Sequence, residues 1–388
     1  MRMLKDKICI TFFSLFFFVA DGQTIYFPDT IWQSKTPREL KMNKILLDSA
    51  VKFALTNENK FDRDLRVANL KAYANEPDYK IIGPMKERGG PAGVIIKNGY
   101  IVAQWGDIDR VDMTFSVTKS FLSTTAGLAI DEGLIKNVRD KVNSYVWDDT
   151  YKGEHNSKIT WDNLLNQSSD WSGTLFGLHD WADRPPRQGS IDDWKNRKLN
   201  EPGTVFKYND VRVNLMAYSL LQVWRKPLPM VLKEKIMDPI GASTTWRWFG
   251  YDNSFVTIDG LMMQSVSGGG HHGGGIFISA IDQARFGLLF LRNGKWKTRQ
   301  LISEKWIKAV HQPSSANKDY GYMWWINTTK KWKDVSSEIY YAVGAGGNYI
   351  VIDNEHDLVV VARWMDDSKM GDFMNLVEQS ITNTASLQ

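Results

Sequence analysis

The chain has 388 residues, 43% of them hydrophobic and 24% charged, with a formal net charge of +4. This is ordinary globular composition with material for a large core, and the absence of any dense block of Lys or Arg argues against a nucleic-acid partner. The only cysteine, Cys9, falls in the first segment of the chain, so the rest holds no thiol for a disulfide, a thiolate nucleophile or a zinc-thiolate site.

Residues 1–22 read as an export signal. Arg2, Lys5 and Lys7 lead an apolar run from Ile8 to Ala20, and Ala20-Asp21-Gly22 supplies small residues for cleavage. An exported protein is expected, bacterial periplasm being the compartment, with no stable membrane span once the signal is removed. The alternative is an uncleaved N-terminal anchor.

The remainder, 23–388, is expected to hold one large domain. Thr36-Pro37-Arg38-Glu39 predicts a first helix, with Leu40, Ile45, Leu46 and Val51 on its apolar face. Ala92–Ile96 and Tyr100–Ala103 predict two strands joined at Lys97-Asn98-Gly99. Thr114 to Ile130 follows as a helix whose one charge is Lys119. From 135 to 265 helical segments and tryptophan-rich connections dominate and strand signals are scarce. Gly275–Ser279 predicts a strand, Ala280–Leu291 a helix, Tyr322–Ile326 a strand, and Tyr349–Ile352 with Leu358–Ala362 a hairpin; Met370–Ile381 predicts the closing helix. Strands at both ends of the chain imply an α+β fold in which one antiparallel sheet, flanked by helices, is built from about 36–134 and 275–388, with a mainly helical domain inserted at about 135–274.

The helix at 114–130 opens on Ser116-Val117-Thr118-Lys119. Three residues apart on one helical face, a hydroxyl and an amine meet. A buried lysine loses hydration of its charged form, which lowers its pKa and frees the amine to take a proton from Ser116; the competing reading is a core helix whose lysine reaches to the surface. The same spacing recurs at Ser315 and Lys318 in a polar loop, where the lysine is expected to be solvated. Further on, Tyr208-Asn209-Asp210 stands at a helix start, with Asp210 as the expected cap. Two glycine clusters, Gly268–Gly275 around His271 and His272, and Gly344-Ala345-Gly346-Gly347, mark places where something approaches the main chain closely.

Ser116…Lys119, Tyr208…Asp210 and Gly344-Ala345-Gly346, in that order, resemble the motifs of the penicillin-recognising serine hydrolases. Gln167–Gly173 and Gly274–Gly287 are similar to that family's turn and strand-helix step. The nearest branch is class C β-lactamase-like, including carboxylesterases and 6-aminohexanoate-dimer hydrolases. The resemblance implies a β-lactamase/transpeptidase-like fold, Ser116 as acylated nucleophile, Lys119 as its proton acceptor and Tyr208 as the proton shuttle. It also implies an oxyanion or substrate-binding region among Asp210, Gly344, Ala345, Gly346, His271 and His272, although each histidine could equally be a loop residue bonded to backbone. No metal or other cofactor is implied, and the partner would be a small amide or ester.

Two departures matter. Asp210 stands where the family usually has Asn, which would hold Lys119 more cationic. Tyr341-Ala342-Val343 lacks the usual cation ahead of the glycine, leaving Arg363 or Arg212 as substitutes and Trp171, Trp181, Trp246 or Trp248 as conceivable pocket walls. The leading expectation is an exported amidase or esterase. A β-lactamase or D-alanyl-D-alanine carboxypeptidase, and a non-catalytic saccharide- or peptidoglycan-binding protein, are the alternatives.

Overall fold

The computed structural model describes residues 25–381; the expected export signal lies outside the described residues. Its main sheet has seven antiparallel strands in the order Tyr320–Gly321, Trp324–Ile326, Tyr340–Gly344, Asn348–Asp353, Leu358–Arg363, Ala92–Lys97 and Tyr100–Trp105. The two chain ends join where Ala92 pairs with Arg363 and Lys97 with Leu358. Asn98 and Gly99 turn the first hairpin with φ of 54° and 87°, the left-handed pair that matches strand twist.

Along Leu358–Arg363 the side chains alternate between two cores. Val359 and Val361 face one, Leu358, Val360 and Ala362 the other. Helix Ala280–Leu291 covers the first face, and helices Lys44–Thr56 and Met370–Gln379 cover the second. Burial on both sides explains why this strand is an unbroken apolar run in sequence. Each fully buried valine or leucine contributes about 1.5–3 kcal/mol, which fixes the register.

Three expectations are corrected. The first helix begins at Lys44, capped by Asn43, because Lys41 takes a φ of 55° and ends the Thr36–Lys41 turn; its buried face is Leu47, Ala50 and Ala54, while Ile45 is exposed. The stretch thought poor in strands contains a long hairpin, Arg247–Ile258 with Leu261–Val266, turned at Asp259-Gly260. Its register slips between Gly250 and Phe255, and that irregularity hides the alternation. Tyr322 and Met323 have positive φ, so the expected strand there splits into Tyr320–Gly321 and Trp324–Ile326.

The hairpin belongs to a second sheet ordered Asp112–Met113, Gly275–Ile278, Arg247–Ile258, Leu261–Val266. Met113 pairs with Phe277, which anchors the chain just ahead of Ser116. A 3-10 turn, Phe115–Val117, then leads into helix Thr118–Asp131, buried continuously from Thr118 to Ala129. This helix packs against helices Asp210–Trp224 and Leu228–Leu232.

Gly127 lies on that helix where a Cβ would come within 2.6 Å of the Trp306 ring. Alanine would add about 1 kcal/mol of helix propensity, whereas overpacking a rigid ring costs about 1–3 kcal/mol. Gly127→Ala is therefore expected to lower the melting temperature, and Trp306→Phe in the same chain to shrink that loss. A Gly127→Ala protein that melts at or above wild type would show that the helix is not held against Trp306.

Candidate active site

The turn that carries Ser116 is strained in its backbone. Phe115 adopts a φ of 48°, a region costly for a bulky residue, and its ring packs edge-on against Phe61. This turns Ser116, half-buried, toward Lys119, whose Nζ lies 2.8 Å from Ser116 Oγ. The same Nζ reaches the Gly268 carbonyl at 3.3 Å and Asp210 Oδ1 at 2.7 Å. Ser315 and Lys318, the second occurrence of the spacing, are exposed.

The glycine clusters are explained by what they touch. A Cβ on Gly269 would fall 2.0 Å from the Phe115 carbonyl oxygen, and one on Gly270 would fall 2.5 Å from the Asp210 carboxyl carbon. The first cluster thus wraps the nucleophile turn and the acid beside Lys119. A Cβ on Gly344 would meet the Thr114 carbonyl at 2.0 Å and the Ser116 nitrogen at 3.0 Å, so this strand end runs directly beside the nucleophile's N–H. Ala345 follows it, half-buried. Gly346 instead turns the hairpin against Trp364 and Phe61.

Tyr208 is delivered by an extended segment pinned from the side. Gln167 accepts at its backbone oxygen from the Lys207 N–H (2.9 Å) and at Oε1 from the Asn209 N–H (2.8 Å), and donates from Nε2 to Tyr320 Oη (2.7 Å). The Tyr208 ring stacks on Trp325, with Lys119 Nζ 5.0 Å and Arg184 5.3 Å from its centroid. The helix cap is Asn209, whose side chain accepts from the Arg212 N–H. That corrects the assignment of the cap to Asp210, which is left free to face Lys119.

Asp210 is the hub of a buried charge network. Besides Lys119 it takes Arg184 (2.8 Å) and His271 Nδ1 (3.1 Å), and its own N–H bonds Asp183. Arg184 also holds Asp183 at 2.6 Å, and His271 Nε2 reaches Glu76 at 3.0 Å. For Lys119, burial is the largest influence and opposes the charge, yet the Asp210 carboxylate outweighs it and the pKa stands above the ordinary lysine value. The expected lowering is thus reversed, and the resting group is an ammonium. Burial likewise pushes Asp210 up, but Arg184 and Lys119 hold it well below the usual carboxylate range. Burial would lower His271 too, while its bonds to Asp210 and Glu76 carry it up to about 9.

Both histidines are buried. His271 stacks on Tyr73 and serves Asp210; His272 bonds the Lys80 carbonyl and is pushed below the ordinary histidine value by burial and by His271. Glu76, Asp183 and His271 bring ligand atoms within 4.8 Å of one another; the imidazole there is bonded to Asp210 at Nδ1 and to Glu76 at Nε2. Arg363 is enclosed by Asn348, Ile278 and Met113, and Arg212 by Asp170, Asp180 and Trp171, so neither is available to a ligand's carboxylate. Trp171, Trp246 and Trp248 are core residues. The second cation beside Tyr208, after Lys119, is Arg184, which sequence reasoning missed: Asp183-Arg184-Pro185-Pro186 reads as an ordinary loop.

A family model described as Beta-lactamase matches residues 84–373. Among solved structures, a family VIII carboxylesterase is 15% identical over 81% of this chain and 96% of its own, with a TM-score of 0.56. A β-lactamase/D-alanine carboxypeptidase from Yersinia pestis is 20% identical, covers 81% of this chain and 98% of its own, and scores 0.54. A Bacillus anthracis protein provisionally named a 6-aminohexanoate-dimer hydrolase is 17% identical over 74% and 78%, also at 0.54. At these identities the likeness is one of fold. No curated protein matches the chain.

The network makes a pH prediction. A histidine raised from 6.5 to about 9 in the folded state stabilises the protein fully below pH 6.5, and that contribution is lost as pH rises through about 9. His271→Gln is expected to be less stable than wild type at pH 6 and to close the gap by pH 10, read from melting temperatures across that range. A constant difference between the two proteins at every pH would show that the imidazole is not charged there.

Proposed function

The chain belongs to the β-lactamase family, a family of hydrolases, and on that premise we propose that it is a serine hydrolase that cleaves a small ester or amide through an acyl-enzyme on Ser116. The observation that carries the reading is the 2.8 Å contact between Lys119 Nζ and Ser116 Oγ, placed where the Gly344 strand end passes the Ser116 N–H. Attack requires that the Ser116 proton leave as its oxygen bonds the carbonyl carbon. Lys119 accepts that proton in its neutral form, so it first gives up its own to solvent base, a loss that the adjoining Asp210 carboxylate opposes. The oxyanion is received by the N–H of Ser116 and one from the segment at Gly344 and Ala345. Tyr208 then protonates the leaving group and activates the water that releases the acyl product. Read as an export signal, the Arg2, Lys5 and Lys7 cluster ahead of the apolar run from Ile8 to Ala20 supports export of this chemistry, to the periplasm of a bacterium.

A non-catalytic binding protein of the same fold would have no use for a hydroxyl, an ammonium and a phenol converging in this way. Lys119→Ala leaves Asp210 paired with Arg184 and His271, so it is expected to abolish most turnover while preserving the fold. In wild type, kcat/KM for a neutral ester should rise with pH into the alkaline range, because the ammonium is held above the ordinary lysine value. Asp210→Asn should move that limb to lower pH. An unmoved limb, with Ser116 still labelled by a fluorophosphonate, would remove Lys119 from the role of base; absence of label on Ser116 would remove the nucleophile.

Substrate preference follows from the third motif. A desolvated carboxylate without a charge-assisted partner forfeits about 1.5–3 kcal/mol, roughly ten- to hundredfold in efficiency. Ala342 and Val343 offer no cation at the strand that runs beside Ser116, and Arg363 and Arg212 are enclosed. p-Nitrophenyl acetate or butyrate is expected to be hydrolysed with higher kcat/KM than benzylpenicillin or nitrocefin. The reverse order would restore the β-lactamase reading.

A further inference from the structure

On the far side of Arg184 from the catalytic network lies a cavity of about 310 Å³ that the mechanism above does not use. Arg184 is the shared wall: it salt-bridges Asp210, lies over the Tyr208 ring and lines the cavity. Two further walls are the indoles of Trp181 and Trp194, both half-buried. The cations at the cavity are Arg184, Arg197, Lys198 and Lys207, and the acid is Asp170.

Pairing sorts these groups. Asp170 is held near a pKa of about 2 by Arg197 and Arg212 and also accepts from Asn200, and Arg197 in turn is committed to Asp170 and Asp180. Arg184 is committed to Asp183 and Asp210. Lys198 is exposed to solvent. Lys207 is different: it is half-buried, and its amine has no hydrogen bond or ion pair among the described residues. Burial pulls its pKa below the ordinary lysine value; Arg212 and Arg197 add to that, and the charges of Asp183 and Asp180 oppose it without reversing it. An ammonium in such a place gains from any anion that enters.

We propose that this cavity receives a carboxylate carried by the substrate at a distance from the scissile bond, with Lys207 as its charged partner and Trp181 and Trp194 packing the short aliphatic or planar piece between. The assignment deepens the serine-hydrolase reading and rests on it. The volume admits a small group only, and apolar walls with one convergent cation suit a monoanion on a compact stem. Arg184 both lines the cavity and lies over the Tyr208 ring, so a molecule anchored at Lys207 has only the breadth of that one side chain to pass to reach Tyr208. This differs from the carboxylate of a β-lactam, which sits next to the reacting nitrogen and would face the uncharged Ala342 and Val343.

Two matched pairs test the proposal on the full-length enzyme. Mono-p-nitrophenyl glutarate against its methyl ester places the carboxylate on the acyl side; 4-(butyryloxy)benzoate against its methyl ester places it on the leaving group. Wild type is expected to favour the free acid in one pair by about ten- to hundredfold in kcat/KM. Lys207→Met should erase that preference while leaving the methyl esters unchanged, and Lys207→Arg should keep it. No preference in either pair, or a Lys207→Met enzyme slowed equally on acid and ester, would overturn the assignment. Fluorophosphonate labelling of Ser116 in the same preparations separates the two levels. A labelled enzyme without acid preference refutes only the carboxylate cavity, whereas an unlabelled one refutes the serine mechanism and the cavity's role with it.

Discussion

The buried pair of Lys119 and Asp210, 2.7 Å apart and each 1% exposed, is the constraint on which the rest of the site depends. Taking both charges out of water costs several kcal/mol per ion unless good geometry and further bonds offset it. The structure supplies those bonds on both sides. Lys119 is also tied to Ser116 and the Gly268 carbonyl, and Asp210 to Arg184 and His271. Gly270 follows from the same requirement, since a side chain there would occupy the volume of the Asp210 carboxylate, while Gly268 and Gly269 are kept bare by Val213 and the Phe115 carbonyl. A stretch that looks in sequence like a ligand-binding loop is therefore the backbone packed around an ion pair.

Much of the architecture was legible because apolar pattern and turn chemistry agree. The Asn98-Gly99 hairpin, the two-faced Leu358–Arg363 strand and the joining of both chain ends in one sheet all follow from period-two burial and turn residues. The Arg247–Ile258 hairpin was missed because a register slip breaks its alternation, although Asp259-Gly260 is a hairpin dipeptide that could have revealed it. The first helix was placed too early for a related reason. Thr36 and Glu39 do bond each other, but they close a turn that Lys41 ends.

At the site, order along the chain singled out Ser116, Lys119, Tyr208 and the Gly344 strand end, and the fold brings these four together. What it could not weigh was the contest over Lys119. Burial and the Asp210 carboxylate act in opposite directions, and only the 2.7 Å separation decides in favour of the charged form. Arg184 and Glu76 left no signal at all, because each acts through partners far away in sequence: Arg184 on Asp210, Glu76 on His271. The strained φ of Phe115 is silent for the same kind of reason, being imposed by Phe61 and the Gly269 loop and not by local propensity.

The positions of the positive charges give the active site its chemical character. Where the third motif would carry a cation along the Gly344 strand, this chain has alanine and valine, and the charge instead stands on the opposite side of Tyr208 in Arg184. Arg184 cannot simply replace the missing group, because two carboxylates already occupy it. Its effect is on the phenol and on Asp210: together with Lys119 it flanks the Tyr208 ring with two cations, while Trp325 stacks on the ring and restricts its motion. On the proposed mechanism the phenol so held stands beside the amine that would take the Ser116 proton, and capture of an anion would fall to a cation outside this closed network.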